Sequence, residues 1–497
     1  MIKQIIFLIA LAFLLRVVFI PQNAISFHYD MARDAFAARE IWQDHNLKIL
    51  GPPTSTPGLF HGVLYYYLLA IPYGLSGGSP FAASLFLSFL SSLTIIPIFI
   101  LAKEIFKETK WAYLAGLLFA VSFEATQYGP WLSNPNPAML SVSLFFLGLW
   151  FWKKGRAWGL YMGALSAALS AQFQFFLIYL FFLIPVFGYI FKIKSSLKQV
   201  KIAFLFGLLG FLNFIIAAVK FNSIQNILGG FLNISVSTQI DFRTKFTLLA
   251  INYIDNFSNL FINNFLPINV FLGGLLAVVV LYILRKQKFI FLCLLSNFPI
   301  FIFGGHSNAY ANVGLVTPAI LGVIYLIQNL WKTSKLFGLA LISLIIVSNL
   351  FAIYKNAPNG QIALVIPDGM VLKNQFALID ETYAKAAGQS FSINSLTLPL
   401  WTNTTWAYLY SWYGKNKYGY VPSFYGRNQV GLLGEKDLNK IEKSMDLSFF
   451  IMEPYDGIPA NFINEDINTE NAKTEIVSET NFGSLRLQQR KPKIEKN

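Results

Sequence analysis

Apolar runs close to the roughly 20 residues that a helix needs to cross a bilayer recur along the first 354 positions of this 497-residue chain. The pattern predicts eleven crossings. The first, 2–20, runs outward and 80–101 returns; 111–128, 138–152, 157–171, 172–191, 202–219, 268–284, 289–304, 313–330 and 336–354 then alternate. The run at 62–76 (GVLYYYLLAIPYGLS) is short, holds Pro72 and is rich in tyrosine, so it is laid in the outer interface, where aromatic rings with polar tips are favoured. No turn signal separates 157–171 from 172–191. The outer loops are then 21–79, 129–137 (GPWLSNPNP), 220–267 and 305–312 (GHSNAYAN), the third packing on the membrane face. After residue 354 the pattern changes to alternating, strand-like runs such as ALVIP, LSFFIMEP and SLRLQ. The expected fold class is a polytopic α-helical membrane protein of about 11 transmembrane helices over 1–354, followed by a C-terminal extracytoplasmic α/β domain over 355–497.

Composition agrees with the pattern: 55% of residues are hydrophobic and 12% charged, against about 25% charged in soluble domains. The net charge of +14 raises nucleic acid as a partner, but its distribution argues against that. Residues 1–354 hold 23 Lys and Arg against nine Asp and Glu, whereas 355–497 hold 15 of each. Most of the excess sits at the ends of apolar runs, as in Lys103, Lys107 and Lys110 or Lys153, Lys154 and Arg156, which marks short cytoplasmic loops. The N-terminus is therefore cytoplasmic and 355–497 extracytoplasmic. The start, MIKQIIFLIALAFLLRVVFI, lacks a small-x-small cleavage site and reads as an uncleaved signal anchor. Arg16 within it must face the bundle interior or an interface. Cys293, the only cysteine, allows no intramolecular disulfide.

Four of the nine acids in 1–354 (Asp30, Asp34, Glu40 and Asp44) fall in the first outer loop. At about 100° per residue, the segment from Asp30 to Asp44 forms a helix whose stripe of Met31, Ala35, Ala38 and Trp42 suits the bilayer surface. Asp30, Asp34 and Ile41 share a neighbouring face, Arg33 lies close beside them, and Arg39 projects opposite Asp30. Two carboxylates one turn apart repel. A metal, an acceptor hydroxyl or a basic side chain resolves that repulsion, and the sequence leaves all three open. Asp30 reads equally as the N-cap of a helix starting at Met31.

YDMARDAFAARE directly after a first span, followed by a Pro/Gly-rich stretch and LYY, resembles the first periplasmic loop of glycosyltransferase family 39. That family includes protein O-mannosyltransferases and bacterial aminoarabinose transferases and has the GT-C fold. Asp30 falls on the family's catalytic aspartate. Arg33, Ala35, Ala38, Arg39 and Glu40 fall on its R-Y-A-x-x-A-R-E pattern, and Leu64, Tyr65 and Tyr66 fall on its L-Y-Y. Met31 stands where the family has glutamate, and His61-Gly62-Val63 where it has K-P-P, so the lysine that helps hold the lipid phosphate passes to His61. The resemblance implies a plasma (inner) membrane enzyme that moves a sugar, with inversion, from a polyprenyl-phosphate donor to an extracytoplasmic acceptor: a cell-envelope glycan, a lipid or a protein.

Such chemistry needs a base, cations for the departing phosphate, and a site open to lipid. Asp30 is the candidate base. Asp34 supports it or joins it in a Mg²⁺ or Mn²⁺ site completed by phosphate and water. The candidate phosphate ligands on the outer side are Arg33, Lys48, His61, Arg243 and Lys245, each equally readable as an anchor to anionic headgroups. His306, beside the mouth of two spans, is a further candidate against a plain loop role. Trp131, Asn134 and Asn136 suit sugar stacking and hydrogen bonding, or a proline-bounded turn. Tyr408, Tyr410, Trp412, Tyr413 and Tyr418 form either an acceptor surface or a domain core. The rival functions are a transporter or lipid flippase, which would place ionisable groups at mid-helix, a noncatalytic anchor, and a GT-C oligosaccharide polymerase or ligase.

Overall fold

Each predicted apolar run is helical over most of the residues described by the structure, a computed structural model covering all but 55–57, 222–240, 263–268, 300–312, 362–366, 368, 428–433 and 494–497. The helices are α1 (Ile2–Val17), α2 (Tyr29–Trp42), α3 (Leu64–Ser76), α4 (Pro80–Ser92), α5 (Ile95–Phe106), α6 (Thr109–Val121), α7 (Phe123–Tyr128), α8 (Ala138–Lys153), α9 (Ala157–Phe173), α10 (Tyr179–Ile190), α11 (Leu197–Lys220), α12 (Phe242–Phe261), α13 (Asn269–Leu284), α14 (Lys288–Leu294), α15 (Val316–Thr333) and α16 (Lys335–Asn356). Among the described residues, four stretches are long and apolar enough to cross a membrane: Pro80–Phe106, Leu197–Lys220, Val313–Thr333 and Lys335–Asn359.

Packing explains why apolar composition extends all round several helices. On α11 only Ala203, Gly207 and Ala217 are buried, while Phe204, Leu205, Leu209 and Leu212 are exposed. Small residues let the helix approach its neighbours, and the large ones face outward, as lipid contact requires. The α8–α9 hairpin is closer still. Gly159 and Gly163, spaced four apart, meet Gly148, and a Cβ on Gly159 would stand 2.4 Å from the backbone nitrogen of Trp152. Arg16 is fully buried. Its Nε donates to Ser91 (3.0 Å), it also donates to the carbonyl of Ala12 (2.9 Å), and it stacks over Phe119.

Two sequence expectations change. The segment 220–267, read as a loop on the membrane face, contains the 20-residue helix α12. Three of its polar residues point inward: Asn252, Asn256 and Ser258 are buried while Phe246 and Ile251 are exposed. Polar side chains that looked like loop composition therefore sit on an interior face. The pair of runs meeting near residue 171 does separate, at Gln174, whose extended backbone (φ −139°, ψ 104°) ends α9 before a 3₁₀ turn at Phe175–Ile178.

The C-terminal region contains α17 (Leu372–Ala386), α18 (Thr404–Leu409), α19 (Lys415–Tyr418), α20 (Ala460–Lys473) and strands β1 (Ser392–Leu396), β2 (Ser423–Phe424), β3 (Asn439–Lys440), β4 (Ser448–Met452), β5 (Thr474–Phe482) and β6 (Leu485–Pro492). They form one sheet in the order β3-β2-β1-β4-β6-β5, parallel from β3 to β4 and antiparallel through β6 and β5. This region clamps the approach to α2. Phe27 donates its N–H to Met370 (2.9 Å), Leu372 donates to Ile25 (2.9 Å), and the Gln375 amide donates to the Phe27 carbonyl (2.6 Å). The Tyr408 hydroxyl donates to Gly78 at the end of α3 (2.6 Å). The segment 21–79 is thus held between the helical bundle and the C-terminal region.

Candidate active site on the first loop

Helix α2 begins one residue earlier than the sequence suggested. His28 is its N-cap and accepts the N–H of Asp30 through Nδ1, so Asp30 sits within the first turn, its carboxylate free of capping. An acid there also meets the positive end of the helix dipole. The stripe of Met31, Ala35 and Ala38, expected on the bilayer, is instead buried in protein, and α2 packs on α3 and α18. The covering elements come from distant parts of the chain, which periodicity cannot foresee.

Arg33, one of the three answers to the carboxylate repulsion, bridges the two acids. Arg33 donates to Asp34 through Nε (2.8 Å) and Nη2 (2.7 Å), and to Asp30 through Nη1 (2.5 Å). Three of the five guanidinium donors are spent in this way. The two acids differ sharply in environment: the Asp30 side chain is 58% exposed and that of Asp34 3%. Burial pushes Asp34 up to about 6 against the opposing pull of Arg33, and the neighbouring Asp30 charge adds to the rise. Burial disfavours the charged guanidinium, yet Asp34 and Asp30 together raise its pKa, so Arg33 stays a cation. The Tyr66 hydroxyl hydrogen-bonds Asp34. Tyr65 is fully buried close to the same carboxylate, its hydroxyl without a partner among the described residues. Arg33, Asp34, Tyr65 and Tyr66 therefore form the base on which Asp30 stands.

His61 joins this group but not as a cation. Its ring is 7% exposed, and Nδ1 accepts the backbone N–H of Phe175 (3.0 Å). Burial, with Arg33 adding to it, brings its pKa down to about 3. With Nδ1 accepting, the neutral ring carries its proton on Nε2 and offers a hydrogen bond without positive charge. The same break in α9 anchors the whole segment: Gly62 donates to the Gln172 carbonyl (2.8 Å), and the Gln172 side chain reaches Leu64, Gly210 and Asn213. Gln172 and Gln174 were not among the sequence candidates. Two glutamines inside the apolar run AQFQFF were the available signal.

The remaining candidates separate. Lys48 pairs with Glu40, which also accepts from Asn46. Arg243 is exposed and Lys245 half-buried on the first turn of α12, whose main packing partners are α13, α7, α16 and α15. His306 lies outside the described residues. Trp131 is buried edge-on against Tyr128 at 5.4 Å. Asn134 donates to Phe173 (2.5 Å) and Gln174 (3.2 Å), and the Asn136 amide donates to the carbonyls of Tyr128, Gly129 and Trp131, so both asparagines hold turns. Tyr408 and Tyr410 are core residues, and Tyr413 and Tyr418 converge with Lys417 on Asp380. Arg39, on the far face of α2, pairs with Asp437 of the C-terminal region (2.7 Å) and stacks on Phe36. Arg33 occupies one oxygen, Oδ1, of each carboxylate, and no group of three or more His, Cys, Asp or Glu occurs among the described residues, so a divalent ion at the Asp30–Asp34 pair would draw its other ligands from phosphate and water.

No family model matches the sequence, and no curated protein matches it. Solved structures do match. The apo crystal structure of ArnT from Cupriavidus metallidurans superposes with a TM-score of 0.59 at 10% identity, covering 97% of each chain. ArnT from the same organism bound to undecaprenyl phosphate gives 0.57 at 11% identity, again over 97% of each chain. The chain has the GT-C fold. Coverage from end to end means that the GT-C likeness takes in both the helical bundle and the C-terminal sheet, rather than the first loop alone. The residues carrying chemistry must still be argued from their own geometry.

Proposed function

We propose that this chain is an integral-membrane, inverting glycosyltransferase of the plasma (inner) membrane, taking a sugar from a polyprenyl-phosphate donor to an extracytoplasmic acceptor. The observation that carries the reading is the Asp30 carboxylate, solvent-facing at the outer end of α1 and held by a buried Arg33–Asp34 pair. The undecaprenyl phosphate bound to ArnT, which shares the fold, supports the donor class. In this reading the acceptor hydroxyl attacks the anomeric carbon as the bond to the phosphate oxygen breaks. The hydroxyl proton passes to Asp30. Arg33, with donors beyond those spent on the carboxylates, meets the leaving phosphate, and the neutral Nε2–H of His61 adds a hydrogen bond. The acceptor is a glycan, lipid or protein of the cell envelope. Glycosyltransferase family 39 is the grouping that the first-loop motif favours.

The test is to purify the full chain, identify the copurifying lipid by mass spectrometry, and supply that lipid back for transfer. A polyprenyl monophosphate carrying one sugar is expected. A polyprenyl diphosphate carrying an oligosaccharide as the sole donor would move the protein to the polymerase or ligase class. Orientation is tested separately, with low background because the single native cysteine, Cys293, is buried. A cysteine at the exposed Ser390 should label from outside intact cells, and Lys194→Cys only after permeabilisation. Labelling of intact cells at 194 would place the carboxylates of α2 in the cytoplasm and remove the proposed donor.

A further inference from the structure

The C-terminal sheet holds a cleft that the transfer reaction does not use. Its volume is about 500 Å³, within the roughly 300–1,000 Å³ of small-molecule sites. The floor is formed by the later residues of β1, β2 and β3, and α20 forms a wall. The chain passes from β1 to β2 and β3 on one side and returns to β4 on the other, so strand order reverses at β1. Parallel sheets take their ligands beyond the carboxyl ends of the strands at such a reversal.

The side chains there are not those of an ordinary helix–sheet contact. Ile463 and Ile467 of α20 pack on Leu396, Phe450 and Met452, as an amphipathic helix does on a sheet. Further round, Asp466, Thr469, Glu470 and Lys473, spaced at i, i+3, i+4 and i+7, line the cleft with polar groups. Glu470 is 2% exposed and accepts from the Asn394 amide (2.7 Å) and the Tyr425 hydroxyl (2.7 Å). Asp466 accepts the Trp401 indole N–H (3.0 Å), and Arg427 lies over that indole while pairing with Glu465 (2.6 Å). These contacts fix the walls. Neither Lys440 nor Lys473 forms an ion pair with a carboxylate among the described residues; the Lys440 ammonium donates to the Gly426 carbonyl and lies over the Phe424 ring, which leaves its charge without a counter-ion. Burial, and then the neighbouring Lys473, holds the Lys440 ammonium below its usual pKa, so the two charges are near enough to repel.

We propose that this cleft binds an anionic saccharide, a sugar bearing a carboxylate or a phosphate, with its anionic group between Lys440 and Lys473 and its hydroxyls toward Asp466, Thr469 and Glu442. The anion relieves the lysine repulsion. The carboxylates accept hydrogen bonds from the sugar hydroxyls and so favour a saccharide over an anion with few hydroxyls. The site lies apart from α2, and its occupancy is read without turnover, so it stands or falls independently of the transfer reaction.

The experiment is calorimetric titration of the full chain in nanodiscs with glucuronate, glucose 1-phosphate, glucose and inorganic phosphate. At least one of the two anionic sugars should bind tenfold or more tighter than glucose and than inorganic phosphate; which of them does so distinguishes carboxylate from phosphate. The double variant Lys440→Gln/Lys473→Gln, both positions being exposed, should keep the wild-type melting temperature and bind that sugar no better than glucose. Asp30→Asn should bind it like wild type. Absence of binding by all four, equal binding of glucose or of inorganic phosphate, or an unaffected double variant would each overturn the proposal.

Discussion

An Asp30→Asn protein should transfer sugar at least about a hundredfold more slowly than wild type, the usual contribution of a positioned general base, while still binding the polyprenyl donor. Fold is expected to survive. The Asp30 side chain is largely exposed and is not the helix cap, a role that belongs to His28. Asparagine gives up a favourable charge near the helix N-terminus, worth about 0.3–1 kcal/mol, and one contact to Arg33. Arg33 keeps both of its bonds to the buried Asp34 and therefore its place. The two measurements are single-turnover transfer and donor affinity on the same preparation. A variant with near-normal transfer would take Asp30 out of the mechanism. Arg39→Ala serves as the control on the far face of the same helix. It breaks a part-exposed pair with Asp437, so about 1 kcal/mol of stability is at stake and transfer should stay within a few-fold of wild type.

How the loop presents Asp30 was only partly legible in the sequence. Periodicity fixed the helix and put Asp30, Asp34 and Arg33 on adjacent faces, because 3.6-residue repetition is a local property. It left open whether a metal, an acceptor or Arg33 answers the carboxylate repulsion, since that depends on which side chain reaches farther by one or two bonds. The role of His61 was misread as a cation because burial is tertiary: the Phe175 N–H that occupies its Nδ1 comes from a helix break more than a hundred residues away. The same limit explains α12. Asn252, Asn256 and Ser258 lower its apolar content below that of a span, and only the bundle shows that they face inward. The C-terminal region was readable as strands and helices from alternation. The reversal of strand order at β1 and the polar stripe of α20 facing it were not, because parallel pairing joins segments with no local signature.

Arg33→Ala should combine the largest loss of transfer with a clear loss of stability, and the two effects should separate in a double variant. Removing the guanidinium strips Asp34 of its cation in a nearly solvent-free position. Breaking a buried pair from one side costs about 3–5 kcal/mol, unless the carboxylate takes up a proton. Adding Asp34→Asn removes that unpaired charge, so Arg33→Ala/Asp34→Asn should unfold at a higher temperature than Arg33→Ala alone. Transfer should not return, because both the phosphate contact and the support of Asp30 are gone. The pH dependence follows from the same pair. Asp34 has a folded pKa of about 6, above its ordinary carboxylate value of 3.8, so between those values the folded state holds more protons than the unfolded one. Its contribution to stability is greatest at low pH, falls as pH rises through that window, and is level above about 6. Transfer should run the opposite way in wild type, rising through pH 6 as the ionised Asp34 locks Arg33 against Asp30. Asp34→Asn should flatten both curves around pH 6 and leave a residual rate. A wild-type rate with no ascending limb between pH 5 and 7, measured at saturating donor, would show that Asp34 ionisation does not govern the site.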